Sequence, residues 1–214
     1  MKRKHSKYYY GLVDENQAKT LSWRVCSALG HGVNQTAHHL VIETACAESQ
    51  LGTYMDTTPN NGFGLHQLDR IGIRDTIERT RRKDYDTVRN CFGISLERIT
   101  PDQVANDPLV STILCRLKYK LVPEEIPADL LSRAVYWKRY YNTAAGKGTT
   151  EHYLASAERL LYQQQRGTHA SVTTQSTKRN PIGHGVKTCL ANPGRALRYP
   201  PGLMGPGKVT QLVN

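Results

Sequence analysis

Residues 45–67 read ACAESQLGTYMDTTPNNGFGLHQ. The first residues continue a helical pattern. Ala37, Val41, Thr44, Ala45 and Glu48 recur at three- and four-residue steps, which predicts a helix over 34–50 with Asn34 as its N-cap. Thr44, Ala45, Cys46 and Ala47 are small enough for neighbouring helices to lie close. Gly52, the Thr57-Thr58-Pro59 run, Asn60-Asn61 and Gly62 then supply turn chemistry and end the helix. Glu48 thus falls on the core-facing stripe, directly before a Gly-rich loop.

Outward from this stretch the chain reads as mostly α (α+β in the sense of a helical domain with a small irregular or β loop beside a cleft). Asp14 caps a helix over 14–29 with Leu21, Val25 and Leu29 on one stripe. Residues 70–83 form an exposed, Arg/Lys-rich helix, and the basic run 79–83 reads as its solvated face. Thr100-Pro101-Asp102 and Asp107-Pro108 each open a helix. PADLLSRAVYWKRYY, 127–141, forms another, and Thr149 or Thr150 caps a last one bearing Tyr153, Ala157, Leu160 and Leu161. The domain accordingly spans 1–165.

Beyond it hydrophobic periodicity stops. Residues 166–214 hold five of the ten prolines, seven of the seventeen glycines, seven Lys/Arg and no Asp or Glu. That composition predicts an extended basic tail without its own core, suited to docking on partner chains. The whole chain carries a formal charge of +11, which favours polyanions such as nucleic acid, anionic lipid or an acidic wall polymer. Nucleic-acid contact rests on charge alone and would be salt-sensitive and unspecific. A mean hydropathy of -0.55, with no run near the ~20 apolar residues of a bilayer crossing, excludes a membrane span. The basic start MKRKHSKYYYGLVDENQ lacks an apolar core, so synthesis in a cytoplasm without a signal peptide is expected. Five dispersed cysteines (Cys26, Cys46, Cys91, Cys115, Cys189) without a C-x-x-C argue against a disulfide framework or a zinc site and predict reduced thiols. His38, His39 and Glu43 cluster on one helix but lack further ligands, so neither a metal nor any other cofactor is expected.

A carboxyl group at the rim of an apolar face is partly desolvated, which raises its pKa. A carboxylic acid still protonated near neutrality can give its proton to a leaving glycosidic oxygen. Glycines bring backbone amides close to a ligand, and Gln67 offers both a donor and an acceptor to sugar hydroxyl and acetamido groups. Glu48-Ser49, then Gly62-Phe63-Gly64-Leu65-His66-Gln67, then Tyr141-Asn142 before Gly146 resemble, in order, three motifs of the lytic transglycosylase group of the lysozyme superfamily. The likeness covers about 35–160. It implies a lysozyme-like fold and cleavage of the MurNAc–GlcNAc β-1,4 bond of peptidoglycan, with closure of a 1,6-anhydro ring. It makes Glu48 the sole acid/base catalyst. Ser49, Gly62, Phe63, Gly64, Leu65, Gln67 and Asn142 would contact or orient the glycan, Tyr141 would sit at the cleft close to the acid or the sugar, and His66, at a variable position, would at most touch sugar.

Other readings stand beside this one. Asp56, eight residues after Glu48, is a possible second carboxylate. An Asp-x-Thr-like loop at such spacing resembles phage-type lysozymes and implies a hydrolytic muramidase; Asp69 is a weaker choice. Glu48 alone would also suit a cap or an ion pair to an arginine of 74–82. Trp137 fits either core or cleft wall, and Tyr140 the core. A wall-cleaving domain without a signal peptide, joined to a docking tail, implies a bacteriophage virion component that opens the wall during genome delivery. A non-enzymatic assembly protein with a degenerate lysozyme-like domain is the alternative.

Overall fold

The computed structural model describes residues 7–57, 62–144 and 146–163. The proposed docking tail, Cys189 and the centre of the 52–62 turn lie outside these residues.

The fold is mostly α. Asp14 caps α1 (Glu15–Leu29) by accepting from the Gln17 amide at 2.8 Å. The second helix, α2 (Ala37–Ser49), is the central strut, buried along nearly its whole length. Its start corrects the sequence reading, because Thr36 and not Asn34 occupies the cap position. Asn34 instead donates to the Ile126 carbonyl at 2.9 Å, and Thr36 to Pro127 at 3.0 Å, so both polar side chains pin the helix start to a distant loop.

The expected helix over 70–83 is two helices. Asp69 caps α3 (Arg70–Arg79), Thr80 and Arg81 turn extended, and α4 (Arg82–Phe92) follows. Exposed i,i+4 pairs, Arg79–Asp75 and Arg82–Asp86, line these helices as expected of a solvated face. A single 3-10 turn, Leu96–Arg98, leads to α5 (Pro101–Asn106), opened by a full capping box from Thr100 and Gln103. Asp107 caps α6 (Pro108–Lys120), the second buried strut, whose Ile113, Leu114, Cys115 and Leu117 are all in the core.

Asp129 caps α7 (Leu130–Trp137), which widens into a π-helical turn over Lys138–Asn142. Thr149 caps α8 (Thr150–Ala157), which widens likewise over Glu158–Tyr162. Helix α2 packs against α1, α6, α7 and α8. Among the described residues the only strand-like pairing is the antiparallel bridge Phe63–Leu68. No described helix is long and apolar enough to cross a membrane. Cys26, Cys46 and Cys115 are buried free thiols, and Cys91 is free and exposed.

Candidate active site

The last turn of α2 reaches the surface at a cleft of about 690 Å³. Its walls are Ala47 and Glu48 of α2, Gln50, Tyr54 and Asp56 of the loop after it, Trp137 and Asn142 from α7 and its π turn, the 146–148 loop, and His152 of α8. Glu48 is the partly exposed acid on the floor. Its Oε1 accepts a hydrogen bond from the Trp137 indole Nε1 at 3.0 Å. Burial pushes its carboxyl up to about 7, while the Trp137 hydrogen bond and the positive charge of Lys118 restrain the rise. Among the described residues no Lys or Arg nitrogen lies within 4.0 Å of it, so the structural ion pair that would have explained it is absent. The arginine clamp falls on Glu43 instead, one and a half turns earlier, where Arg133 binds at 2.7 Å. A carboxyl of this kind is protonated for a large fraction of molecules near neutrality and open to a ligand from one side.

Asp56 and Asn142 also line the cleft. Several other residues assigned to it do not. Ser49 is fully buried: its hydroxyl donates to the Leu65 carbonyl at 2.7 Å and accepts from the Gly52 amide at 3.1 Å. It fastens the end of α2 to the Gly-rich loop from behind and touches no ligand. Leu65 and His66 are likewise in the core, where the His66 Nδ1 meets the Ser111 hydroxyl at 3.0 Å. Tyr141 is buried beside Glu48, and its hydroxyl donates to the His66 carbonyl at 2.7 Å. Sugar contact by Ser49, Leu65 or His66 is therefore corrected to support of the loop, while Tyr141 stands close to the acid and not on the sugar side.

Gly62 and Gly64 carry a different demand from the one expected. Both are required for packing inside the protein. Gly62 presses on the backbone of Gln67, where a Cβ would stand 2.2 Å from the Gln67 carbonyl oxygen. Gly64 has φ +72 and lies against α5, with a Cβ position 2.1 Å from the Val104 carbonyl oxygen. Between them Phe63 pairs with Leu68 and carries the Arg70 guanidinium over its ring at 4.9 Å. Gly62, Phe63 and Gln67 are partly buried but outside the cleft lining.

Gln67 is engaged by a residue that sequence reasoning missed. Its amide nitrogen donates to the Gly64 carbonyl at 2.8 Å and to the Tyr10 hydroxyl at 3.0 Å. That hydroxyl also accepts from the Asp56 amide at 3.3 Å and donates to the Tyr54 carbonyl at 3.2 Å. Tyr10 thus ties the Gly-rich hairpin to the loop bearing Tyr54 and Asp56. Nothing distinguishes it in sequence from Tyr8 and Tyr9. His152 escaped notice for the same reason; its Nε2 meets the Ala47 carbonyl at 2.9 Å and closes the rim. Asp69, the weaker second carboxylate, is corrected to an N-cap, accepting from the Gly72 amide away from the cleft.

Among the described residues no group of three or more His, Cys, Asp or Glu is placed to hold a metal ion. The cleft offers one poised acid, a second carboxylate, the side-chain amides of Gln50 and Asn142, an exposed aromatic at Tyr54 and a lysine at Lys147, a set suited to a polyhydroxylated ligand. No protein-family model, curated protein or solved structure matches the chain.

Proposed function

We propose that this protein is a peptidoglycan-cleaving enzyme of the lytic transglycosylase type, with Glu48 as its acid and base. The observation that carries the reading is Glu48 itself: a carboxyl raised to about 7, free of a cationic clamp among the described residues, at the floor of a sugar-sized cleft. The order of the three motifs in the sequence supports it. In the reaction the protonated Glu48 gives its proton to the oxygen between MurNAc and GlcNAc as that bond breaks. The resulting carboxylate then takes a proton from the C6 hydroxyl of the same MurNAc. That oxygen closes on C1, which yields the 1,6-anhydro sugar and returns Glu48 to its starting state.

Asp56 on the same cleft favours a second reading, hydrolysis with water as the acceptor. Digestion of purified sacculi, with mass spectrometry of the released muropeptides, separates them. Anhydro ends are expected, with Glu48→Gln reducing release by at least about a hundredfold while the fold is retained. Asp56→Asn is expected to stay within about tenfold of the unsubstituted protein; free reducing ends lost in Asp56→Asn would instead make the enzyme a hydrolase. Release by Glu48→Gln within a few-fold of normal would remove Glu48 from the chemistry and favour the assembly role. Carriage in a phage particle through residues 166–214 belongs to the same proposal and is tested by whether particles incorporate a chain ending at residue 165.

A further inference from the structure

Glu43 is wholly buried on α2, five residues before Glu48. Its carboxylate is saturated by donors. Arg133 Nε reaches Oε2 and an Arg133 terminal nitrogen reaches Oε1, both at 2.7 Å. The Tyr153 hydroxyl donates to Oε2 at 2.9 Å, and the Tyr162 hydroxyl, brought in by the π turn after α8, donates to Oε1. Stability alone is a poor account of such a site, because well-packed apolar side chains in place of a buried ion pair are often as stable or more so. A two-pronged guanidinium–carboxylate contact does fix geometry, since it resists both sliding and rotation of the elements it joins.

Here it joins α2 to α7. One turn further along α7 from Arg133 stands Trp137, whose indole donates to Glu48. The Tyr153 ring lies on the Trp137 ring, with centroids 5.1 Å apart and planes inclined by 37°, while its hydroxyl holds Glu43. The contacts Glu43–Arg133, Glu43–Tyr153, Tyr153–Trp137 and Trp137–Glu48 therefore form one unbroken chain.

We propose that Glu43, Arg133 and Tyr153 are positioning residues that aim the Trp137 indole at Glu48. This rests on Glu48 being the working acid, as proposed above. Displacing the indole removes a donor that favours the charged carboxyl, so Glu48 should hold its proton to higher pH. The other charged or titratable groups near Glu48, namely Cys115, Lys118, Tyr119, Tyr141, Asp56, Lys147 and His152, are unchanged by the variants below.

The test follows the Trp137 indole N–H resonance by nitrogen-15 NMR in the full chain, without substrate, across pH 5–9. In the unsubstituted protein it should titrate with a midpoint of about 7 and stop titrating in Glu48→Gln. In Arg133→Lys, and in the milder Tyr153→Phe, the midpoint should rise by about half a unit or more. The pH limb of kcat on sacculi should move with it, with kcat down about three- to tenfold and KM within about twofold. Should Arg133→Lys fail to fold, Tyr153→Phe decides. A lowered Tm with an unmoved indole titration would overturn the proposal and leave the cluster a plain brace. A moved titration in a protein that releases no muropeptides would keep the positioning role and sink the glycan-cleaving reading.

Discussion

At the scale of single residues, Glu48 and Glu43 show how environment divides one side-chain type into two states. Five positions apart on α2, one is clamped by the Arg133 guanidinium and the other stands open with a raised pKa. The raised value has a consequence for stability. The folded chain holds the Glu48 proton up to about pH 7, whereas an unfolded glutamate loses it near 4.5. The stabilisation from the neutral form is therefore complete below about 4.5 and is lost as pH rises through about 7. Glu48→Gln cannot ionise, so it should gain on the unsubstituted protein steadily between about pH 4.5 and 7 and level off above, by no more than about 3 kcal/mol in all. Urea melts at a series of pH values measure this, and parallel curves for the two proteins would contradict it. The position of Glu48 was legible because an acid interrupts an otherwise apolar stripe. The Trp137 contact was not, since an indole at an inward helical position reads the same whether it meets Leu or a carboxyl.

At the scale of elements, caps were the most legible features. Asp14, Thr100, Asp107 and Thr149 each sit where a short side-chain acceptor precedes a helical stripe, and each accepts the amide expected of it. Asn34 misled because its side chain found a distant carbonyl instead. The break between α3 and α4 carries no Gly or Pro, so an Arg-rich amphipathic pattern ran through it unmarked. The π turns after α7 and α8 also lack a sequence signature, yet they carry Asn142 to the cleft and Tyr162 to Glu43. The Gly62–Leu68 hairpin was legible as a motif but not in its purpose. With φ +72 and the Val104 carbonyl in the way, Gly64→Ala should cost at least about 2 kcal/mol in chemical denaturation. A smaller loss would mean that α5 yields easily and that the hairpin is loosely seated.

At the scale of the whole molecule, one buried and three half-buried histidines set the acid limit. Burial lowers His66 to about 3 and His38 to about 4, and His31 and His39 move the same way for the same first reason. Each is depressed relative to the unfolded chain, so its stabilisation is full above about 6.5 and is lost as pH falls towards those values. Glu48 works in the opposite sense, but several imidazoles outweigh one carboxyl. Thermal melts from pH 4 to 8 should peak between about 6.5 and 7 and fall steeply below about 6; a flat profile down to pH 4 would contradict this. The mostly helical plan was readable from periodicity, while the way in which α2 carries both the interior brace at Glu43 and the cleft acid at Glu48 became visible only in three dimensions. That division of α2 bears on descent. Glutamate and glutamine codons differ by one base, and at position 48 that step leaves the interior braces untouched. Under the proposed reading, a glycan-cutting ancestor and a lectin-like offspring that grips the strand without severing it would stand a single nucleotide apart.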